Sequence, residues 1–130
     1  MADVDTRIVS VVDDDESLRR SLRNLLGSVG FRVETFASAE AFLQSLDHQH
    51  PGCLVLDLRM TGMNGFDLLR HLSDMGTHIP TVILTAHGEE EARQRAVQAG
   101  AVAFLSKPFN GKALLEAVRT ALNQGRRPAP

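Results

Sequence analysis

The sequence has a single cysteine and no long apolar run, and both shortages narrow the class of protein. Cys53 alone cannot form an internal disulfide, and a lone cysteine is typical of a protein from a reducing compartment. No apolar stretch approaches the roughly 20 residues that a membrane-spanning helix needs, and the start MADVDTR lacks the features of a signal peptide. We therefore expect a cytoplasmic protein without membrane contact, in which Cys53 is a small core residue.

The chain is also poor in lysine and close to neutral in overall charge. Its 130 residues carry 14 basic and 16 acidic side chains, a net charge of −2, and 43% of the residues are hydrophobic. This composition is ordinary for one soluble domain, and it gives no sign that the chain itself binds nucleic acid or an anionic membrane. Only Lys107 and Lys112 are lysines, so each of them is a candidate for a specific role.

Short apolar runs recur along the chain and predict five strands. Four of the runs are almost continuously apolar, which is typical of strands covered on both faces: IVSVV (8–12), CLVLDL (53–58), TVILTA (81–86) and AVAFL (101–105). A fifth run, FRVETF (31–36), alternates between apolar and polar residues, which indicates an edge strand.

Helical patterns fill the intervals between the runs. Leucines at helical spacing precede Gly30, and Ser38, Asn64 and Asn110 are placed as N-caps of later helices. The resulting order, βαβαβαβαβα, predicts an open parallel sheet with helices on both faces. The last residues, GRRPAP (125–130), have no periodicity, so we predict one domain over residues 1–124 and a linker-like or disordered tail.

Polar residues stand where the predicted strands end. Asp13 and Asp14 follow the first strand, Asp57 ends the third, Thr85 ends the fourth, and Lys107 follows the fifth. Ligands of open parallel sheets bind outside the carboxyl ends of the strands, and neighbouring strands lie about 4.8 Å apart. Carboxylates that close together need a cation, and oxygen ligands suit Mg²⁺ or Mn²⁺. A lysine side chain is long enough to add a further positive charge.

Some of these residues have simpler interpretations. In VVDDDES (11–17), Asp15 and Glu16 are expected to be first-turn acids of the first helix, where they favour the helix dipole. Asp13 and Asp14, taken alone, also suit a capping role. Asp57 is harder to explain structurally, because it ends the most apolar run of the sequence. The combination of residues carries the functional prediction.

The motifs VVDDDES, VLDLRMTGMNG, VILTAHG and FLSKPF, in this order and at these spacings, resemble the receiver domain of response regulators in two-component signalling. The resemblance runs from about Arg7 to Leu122. It implies a flavodoxin-like, doubly wound α/β fold with a five-stranded parallel sheet of order 2-1-3-4-5 and five helices. AHG and AGAVAFLSKPF most resemble the regulators that have a C-terminal helix-turn-helix output domain.

The resemblance implies a role for each acid. Asp57 is the nucleophile that accepts a phosphoryl group. Asp13, Asp14 and Asp57, together with the backbone carbonyl of Arg59, hold Mg²⁺ or Mn²⁺, Asp14 directly and Asp13 through water. A carboxylate is a weak nucleophile, so catalysis is expected to depend on positioning and on neutralisation of charge.

The remaining motif residues acquire roles in the same way. Lys107 and Thr85 contact the phosphoryl oxygens, so that Asp57, Lys107 and Thr85 form the catalytic set. Thr85 and Phe104 form the switch that reports phosphorylation, and the Lys107–Pro108 peptide bond is expected to be cis. The pattern also differs from the family at one position, because Thr61 stands where proline is usual, and we expect a looser loop there.

Two further positions vary within the family and are predicted to tune the lifetime of the phosphoryl group. They are Arg59 and His87. We expect them to flank the phosphoryl group and to set its rate of hydrolysis.

The implied function is a phosphorylation-activated switch rather than an ordinary enzyme, although the domain would catalyse its own phosphoryl transfer and hydrolysis. A sensor histidine kinase is the expected donor, and the face made by the fourth helix, fifth strand and fifth helix is expected to change. The output would be transcription through a DNA-binding domain outside this chain. A phosphorylation-dependent homodimer follows from the resemblance alone.

Three alternative functions compete with this one. A phosphatase with an aspartyl nucleophile would need a second acid where Arg59 stands, and a flavin-binding module would need a loop rich in Ser, Thr and Gly after the first strand. A protein-interaction module that is never phosphorylated would not need the full set of acids, threonine and lysine. That last alternative stays open.

Overall fold

The structure is a computed structural model that describes residues 7–86 and 90–126, with side chains up to residue 124. Strands and helices alternate along the described chain as the sequence pattern predicts. The elements are β1 (Ile8–Val12), α1 (Glu16–Ser28), β2 (Arg32–Phe36), α2 (Ala39–Ser45), β3 (Cys53–Leu56), α3 (Gly65–Asp74), β4 (Thr81–Thr85), α4 (Glu90–Gln98), β5 (Ala103–Ser106) and α5 (Gly111–Arg126).

The strands form one parallel sheet in the order β2-β1-β3-β4-β5, which confirms the predicted fold class. The alternating segment, β2, lies at one edge, as its pattern indicates. Several strand boundaries differ from the predicted runs by one or two residues, most clearly in β3 and β5. β3 ends at Leu56 instead of residue 58, and β5 begins at Ala103, because the N–H of Ala101 still bonds to the carbonyl of Ala96 at the end of α4.

Side chains on the two faces of the sheet form two separate core layers. One layer joins Val9 and Val11 of β1 to α1 and α5, and the other joins Val12 to α2, α3 and α4. Cys53 is fully buried in the first layer, and burial raises the pKa of its thiol to about 12, so it is a core residue as predicted. α4 contributes only Ala96 as a buried side chain, so it is the helix that is held most weakly to the sheet.

The helix starts are capped as the sequence indicates. Ser38 accepts a hydrogen bond from the N–H of Ala41, Asn64 forms a capping box with Asp67, and the side chain of Asn110 accepts from the start of α5. Asp15 was predicted to lie in the first turn of α1, but it lies one position before the helix, where its carboxylate is the N-cap.

The predicted boundary at residue 124 falls inside α5. This helix continues to Arg126, two residues into the predicted tail, while residues 127–130 lie outside the described part of the chain. The helix continues past Gly125, although glycine is a poor helix former, and the first proline after α5 is Pro128. Among the described helices, none has both the length and the apolar character needed to cross a membrane.

Candidate functional site

The ends of β1 and β3 bring two buried carboxylates together. The strands are neighbours with Val12 paired to Leu56, so the next residues, Asp13 and Asp57, leave the sheet side by side. The N–H of Asp57 donates to the carbonyl of Val12 at 3.0 Å, which holds the two strand ends in register. Asp13 is 2% exposed and Asp57 is 6% exposed. Carboxylates are rarely buried to this extent unless they are paired with another group.

Asp14 completes a cluster of three acids. One carboxylate oxygen from each of Asp13, Asp14 and Asp57 lies within 4.8 Å of the others, and Asp14 is the exposed member. Hard oxygen donors at this separation fit the ligand preferences of Mg²⁺ or Mn²⁺. The prediction that these acids converge from separate segments is therefore matched by the geometry, and the donor set fits a divalent cation of this class.

The surroundings of Asp57 shift its pKa upward. Burial raises the pKa of this carboxyl above its ordinary value, and the nearby Asp13 carboxylate raises it further. Lys107 and the N–H of Arg59 act in the opposite direction, but the net shift remains upward. An additional cation would therefore favour the ionised form, which is the form that can act as a nucleophile.

Lys107 reaches the acids from the far side of β4. Its Nζ lies 3.0 Å from Oδ2 of Asp13 and 3.7 Å from Oδ2 of Asp57, so Asp13 is the closer partner in this structure. Its backbone N–H donates to the carbonyl of Thr85 at 2.7 Å, and the Lys107–Pro108 peptide bond is cis. Lys107, one of only two lysines in the sequence, therefore forms salt bridges with the buried carboxylates.

Thr85 and Phe104 lie on one face of the sheet, beside α3 and α4. Thr85 is the last residue of β4 and is fully buried, while Phe104 pairs with Ile83 two positions earlier. Side chains two residues apart on a strand point to the same face, and both Ile83 and Phe104 pack in the layer of α2, α3 and α4. The two predicted switch residues therefore share a layer with the weakly held helix.

A cavity of about 650 Å³ opens beside the acids. Thr85 and Asp14 line it on the sheet side, and Glu91, Ala92 and Arg95 line it from α4. At its outer end the guanidinium carbon of Arg95 lies 4.0 Å from the ring centre of Phe66 in α3, which is a cation–π contact.

Residues 59–64, the larger part of the loop between β3 and α3, border the acids through their backbone. The N–H of Arg59 donates to Oδ1 of Asp57 at 3.3 Å, and the N–H of Thr61 donates to Oδ2 of Asp14 at 3.4 Å. Proline at position 61 would have no such donor. The expected coordination of a cation by the Arg59 carbonyl stays a prediction, and the other predicted tuning residue, His87, lies outside the described residues.

Sequence reasoning missed one contact of this loop. Glu40, near the start of α2, accepts a hydrogen bond from the N–H of Met63 at 3.4 Å. As an acid in the first turn of a helix, Glu40 looks like an ordinary favourable charge at a helix N-terminus. No spacing in the sequence connects it to a loop that begins 19 residues later.

Comparison with known proteins points to one family. Residues 9–119 match the family model of the response regulator receiver domain. Nodulation protein W of Bradyrhizobium diazoefficiens is 47% identical over 92% of this chain and 53% of its own length. Transcriptional regulatory protein FixJ of Rhizobium meliloti is 43% identical over 87% of this chain and 55% of its own length. The crystal structure of FixJ-N superposes with a TM-score of 0.84 at 39% identity, over 100% of this chain and 99% of that one.

The chain spans about half the length of the curated relatives that it matches. The similarity therefore covers one domain of those proteins and says nothing about the rest of them.

Proposed function

Because the chain belongs to the response regulator receiver domain family, we propose that it is a phosphorylation-controlled switch that accepts a phosphoryl group on Asp57 from a sensor histidine kinase. One observation carries the proposal. Asp57 is a buried carboxylate that faces Lys107 and two further acids at the carboxyl end of the sheet, which is where open parallel sheets bind ligands.

The transfer itself needs no strong base. A carboxylate oxygen of Asp57 attacks the phosphorus, the bond between phosphorus and the kinase histidine breaks, and its electron pair stays with the imidazole nitrogen. Lys107 is positioned to exchange its contact with Asp13 for the phosphoryl oxygens, since its Nζ lies 3.7 Å from Asp57. Positioning and neutralisation of charge are the main requirements of phosphoryl transfer.

A divalent cation fits the same site. Asp13, Asp14 and Asp57, with the backbone carbonyl of Arg59, would hold Mg²⁺ or Mn²⁺, which would neutralise charge on the phosphoryl oxygens. The switch would be reset by hydrolysis, in which water attacks phosphorus, the bond from phosphorus to the Asp57 oxygen breaks, and the Asp57 carboxylate and inorganic phosphate are released. We propose that Arg59 and His87 set the rate of that step.

The signal is read on the face made by α4, β5 and α5. The hydroxyl of Thr85 would donate to a phosphoryl oxygen, and Phe104 would change rotamer on the same face of the sheet. α4 can respond because Ala96 is its single buried side chain and a cavity lies between it and the site. This is a shift between two populated conformations.

Proteins of this family are signalling proteins, and several relatives of this chain bear the names of transcriptional regulators. We infer that the output is transcription in the cytoplasm, through a DNA-binding domain. A homodimer that forms on phosphorylation would be a further consequence of the changed face.

The test is the intact mass of the protein after incubation with acetyl phosphate, with and without Mg²⁺. We expect the gain of one phosphoryl group, dependent on Mg²⁺ and absent in Asp57→Asn. Asp47→Asn, which changes an exposed aspartate in the loop after α2, is the matched control and should gain the group normally. A folded chain that gains nothing from acetyl phosphate or from a phosphorylated kinase would favour the module that acts by protein contact alone.

A further inference from the structure

Every second backbone N–H group from residue 59 to residue 63 in the β3–α3 loop donates a hydrogen bond to a carboxylate. Arg59 donates to Asp57, Thr61 donates to Asp14, and Met63 donates to Glu40. The first two acceptors belong to the cluster of acids at the strand ends. The third comes from α2 and is not a member of that cluster, so it is the only one of the three that ties the loop to a neighbouring helix.

The backbone that carries Glu40 is fixed by the packing and capping of α2. It lies in the first turn of α2 between Ala39 and Phe42, which are both fully buried, and the Ser38 cap fixes the start of the helix. The loop backbone passes directly against its carboxylate. A Cβ placed on Gly62, which has a φ of +81°, would lie 3.3 Å from Oε2 of Glu40.

Asp14 is the member of the acid cluster that most needs an external restraint. It is exposed, whereas Asp13 and Asp57 are buried and enclosed by the strand ends. The bond from Thr61 restrains the Asp14 carboxylate on the side of the other two acids. A ligand that is already oriented loses less conformational entropy when a cation binds.

We propose that Glu40 is a positioning residue for the cation site: by holding Met63, it places the N–H of Thr61 against Asp14 and so orients that carboxylate for binding. The inference rests on the proposed function, because it assumes that the three acids bind a divalent cation. It assigns to Glu40 a role that goes beyond its favourable charge at the start of α2.

The test is the dissociation constant for Mg²⁺, measured by isothermal titration calorimetry on the unphosphorylated chain. Glu40→Gln removes the charge but keeps an acceptor oxygen, and Glu40→Ala removes both. We expect Glu40→Ala to bind Mg²⁺ about two- to fivefold more weakly than Glu40→Gln, since a net hydrogen bond contributes about 0.5–1 kcal/mol at this strength.

Thr61 supplies a second, independent pair of variants. Thr61→Pro removes the N–H donor, while Thr61→Ala keeps it, so Thr61→Pro should bind Mg²⁺ more weakly by a similar factor. Because both changes act through one loop, the double variant with Glu40→Ala should weaken binding by less than the product of the two single effects. Urea unfolding of each variant without Mg²⁺ checks that the fold is intact.

The possible outcomes distinguish a failure of the role proposed for Glu40 from a failure of the proposed function. Equal affinities for Glu40→Ala and Glu40→Gln, in a wild-type chain that does bind Mg²⁺, would overturn the role of Glu40 alone. Fully multiplicative effects of Glu40→Ala and Thr61→Pro would overturn it as well, since the loop would not connect the residues. A wild-type chain that binds no Mg²⁺ would overturn the proposed function, and this inference with it.

Discussion

Removing either of two buried hydroxyl groups in the sheet should change the free energy of unfolding, but in opposite directions. Among the described side chains, Ser10 Oγ is the one buried polar atom without a hydrogen-bond partner. Ser10 is fully buried in β1, between Glu34 of β2 and Leu54 of β3. Thr81, at the start of β4, is equally enclosed, but its hydroxyl donates to the carbonyl of Ile79 at 2.9 Å.

The expected free energies follow from this difference. An unpaired buried hydroxyl costs about 1–3 kcal/mol, and Ser10→Ala removes that cost while losing only the packing of one atom. We expect Ser10→Ala to raise the free energy of unfolding by about 1 kcal/mol. Thr81→Val keeps the shape but removes a made hydrogen bond, so it should lower the free energy of unfolding by about 1 kcal/mol.

Urea denaturation followed by far-ultraviolet circular dichroism is the suitable assay, because the chain has no tryptophan or tyrosine for fluorescence. The midpoints should move in opposite directions while the slope with urea stays constant. A loss of stability in Ser10→Ala would refute the reasoning, since it would mean that the hydroxyl is satisfied, for example by a buried water.

Two further predictions concern the site and the weakly held helix. Because burial and Asp13 raise the pKa of Asp57, the folded state holds this proton to higher pH than the unfolded state; without metal, stability should fall as pH rises above the ordinary carboxyl pKa. Asp57→Asn should remove that part of the fall in urea titrations with a chelator present, and an unchanged pH profile would contradict the shift. Arg95→Ala should cost about 0.5–1 kcal/mol of unfolding free energy through its contact with Phe66, and an equal loss in Arg93→Ala, on the same helix, would argue against the contact.

The fold and the central acids were accessible from the sequence because short-range rules determine them. A near-continuous apolar run predicts a buried strand, and a charge directly after it must lie at the strand end; Asp13 and Asp57 satisfy both conditions. Parallel order then places such residues on one edge. Ser38, Asn64 and Asn110 were predictable as caps for the same reason, since the partner of a cap is only two or three residues away.

Element ends were less predictable, because a competing local interaction decides each one. α5 extends past residue 124 because Gly125 disfavours a helix by only about 1 kcal/mol, which does not by itself end one. Asp15 is a cap instead of a first-turn acid because its carboxylate accepts from two backbone N–H groups. The periodicity of apolar residues identifies the middle of a helix or strand, but it does not predict which residue ends it.

The contacts of the β3–α3 loop were beyond prediction for a different physical reason. Thr61 donates through its backbone, so the side chain that the sequence displays carries no information about the bond, except that it is not proline. Glu40 accepts from a residue 23 positions away, and only the packing of α2 beside that loop brings them together. A site in this fold therefore has two parts: carboxylates that the strands place, which a sequence reveals, and backbone donors that orient them, which require the assembled structure. Substitutions such as Thr61→Pro, which leave every acid in place, are where the second part becomes measurable.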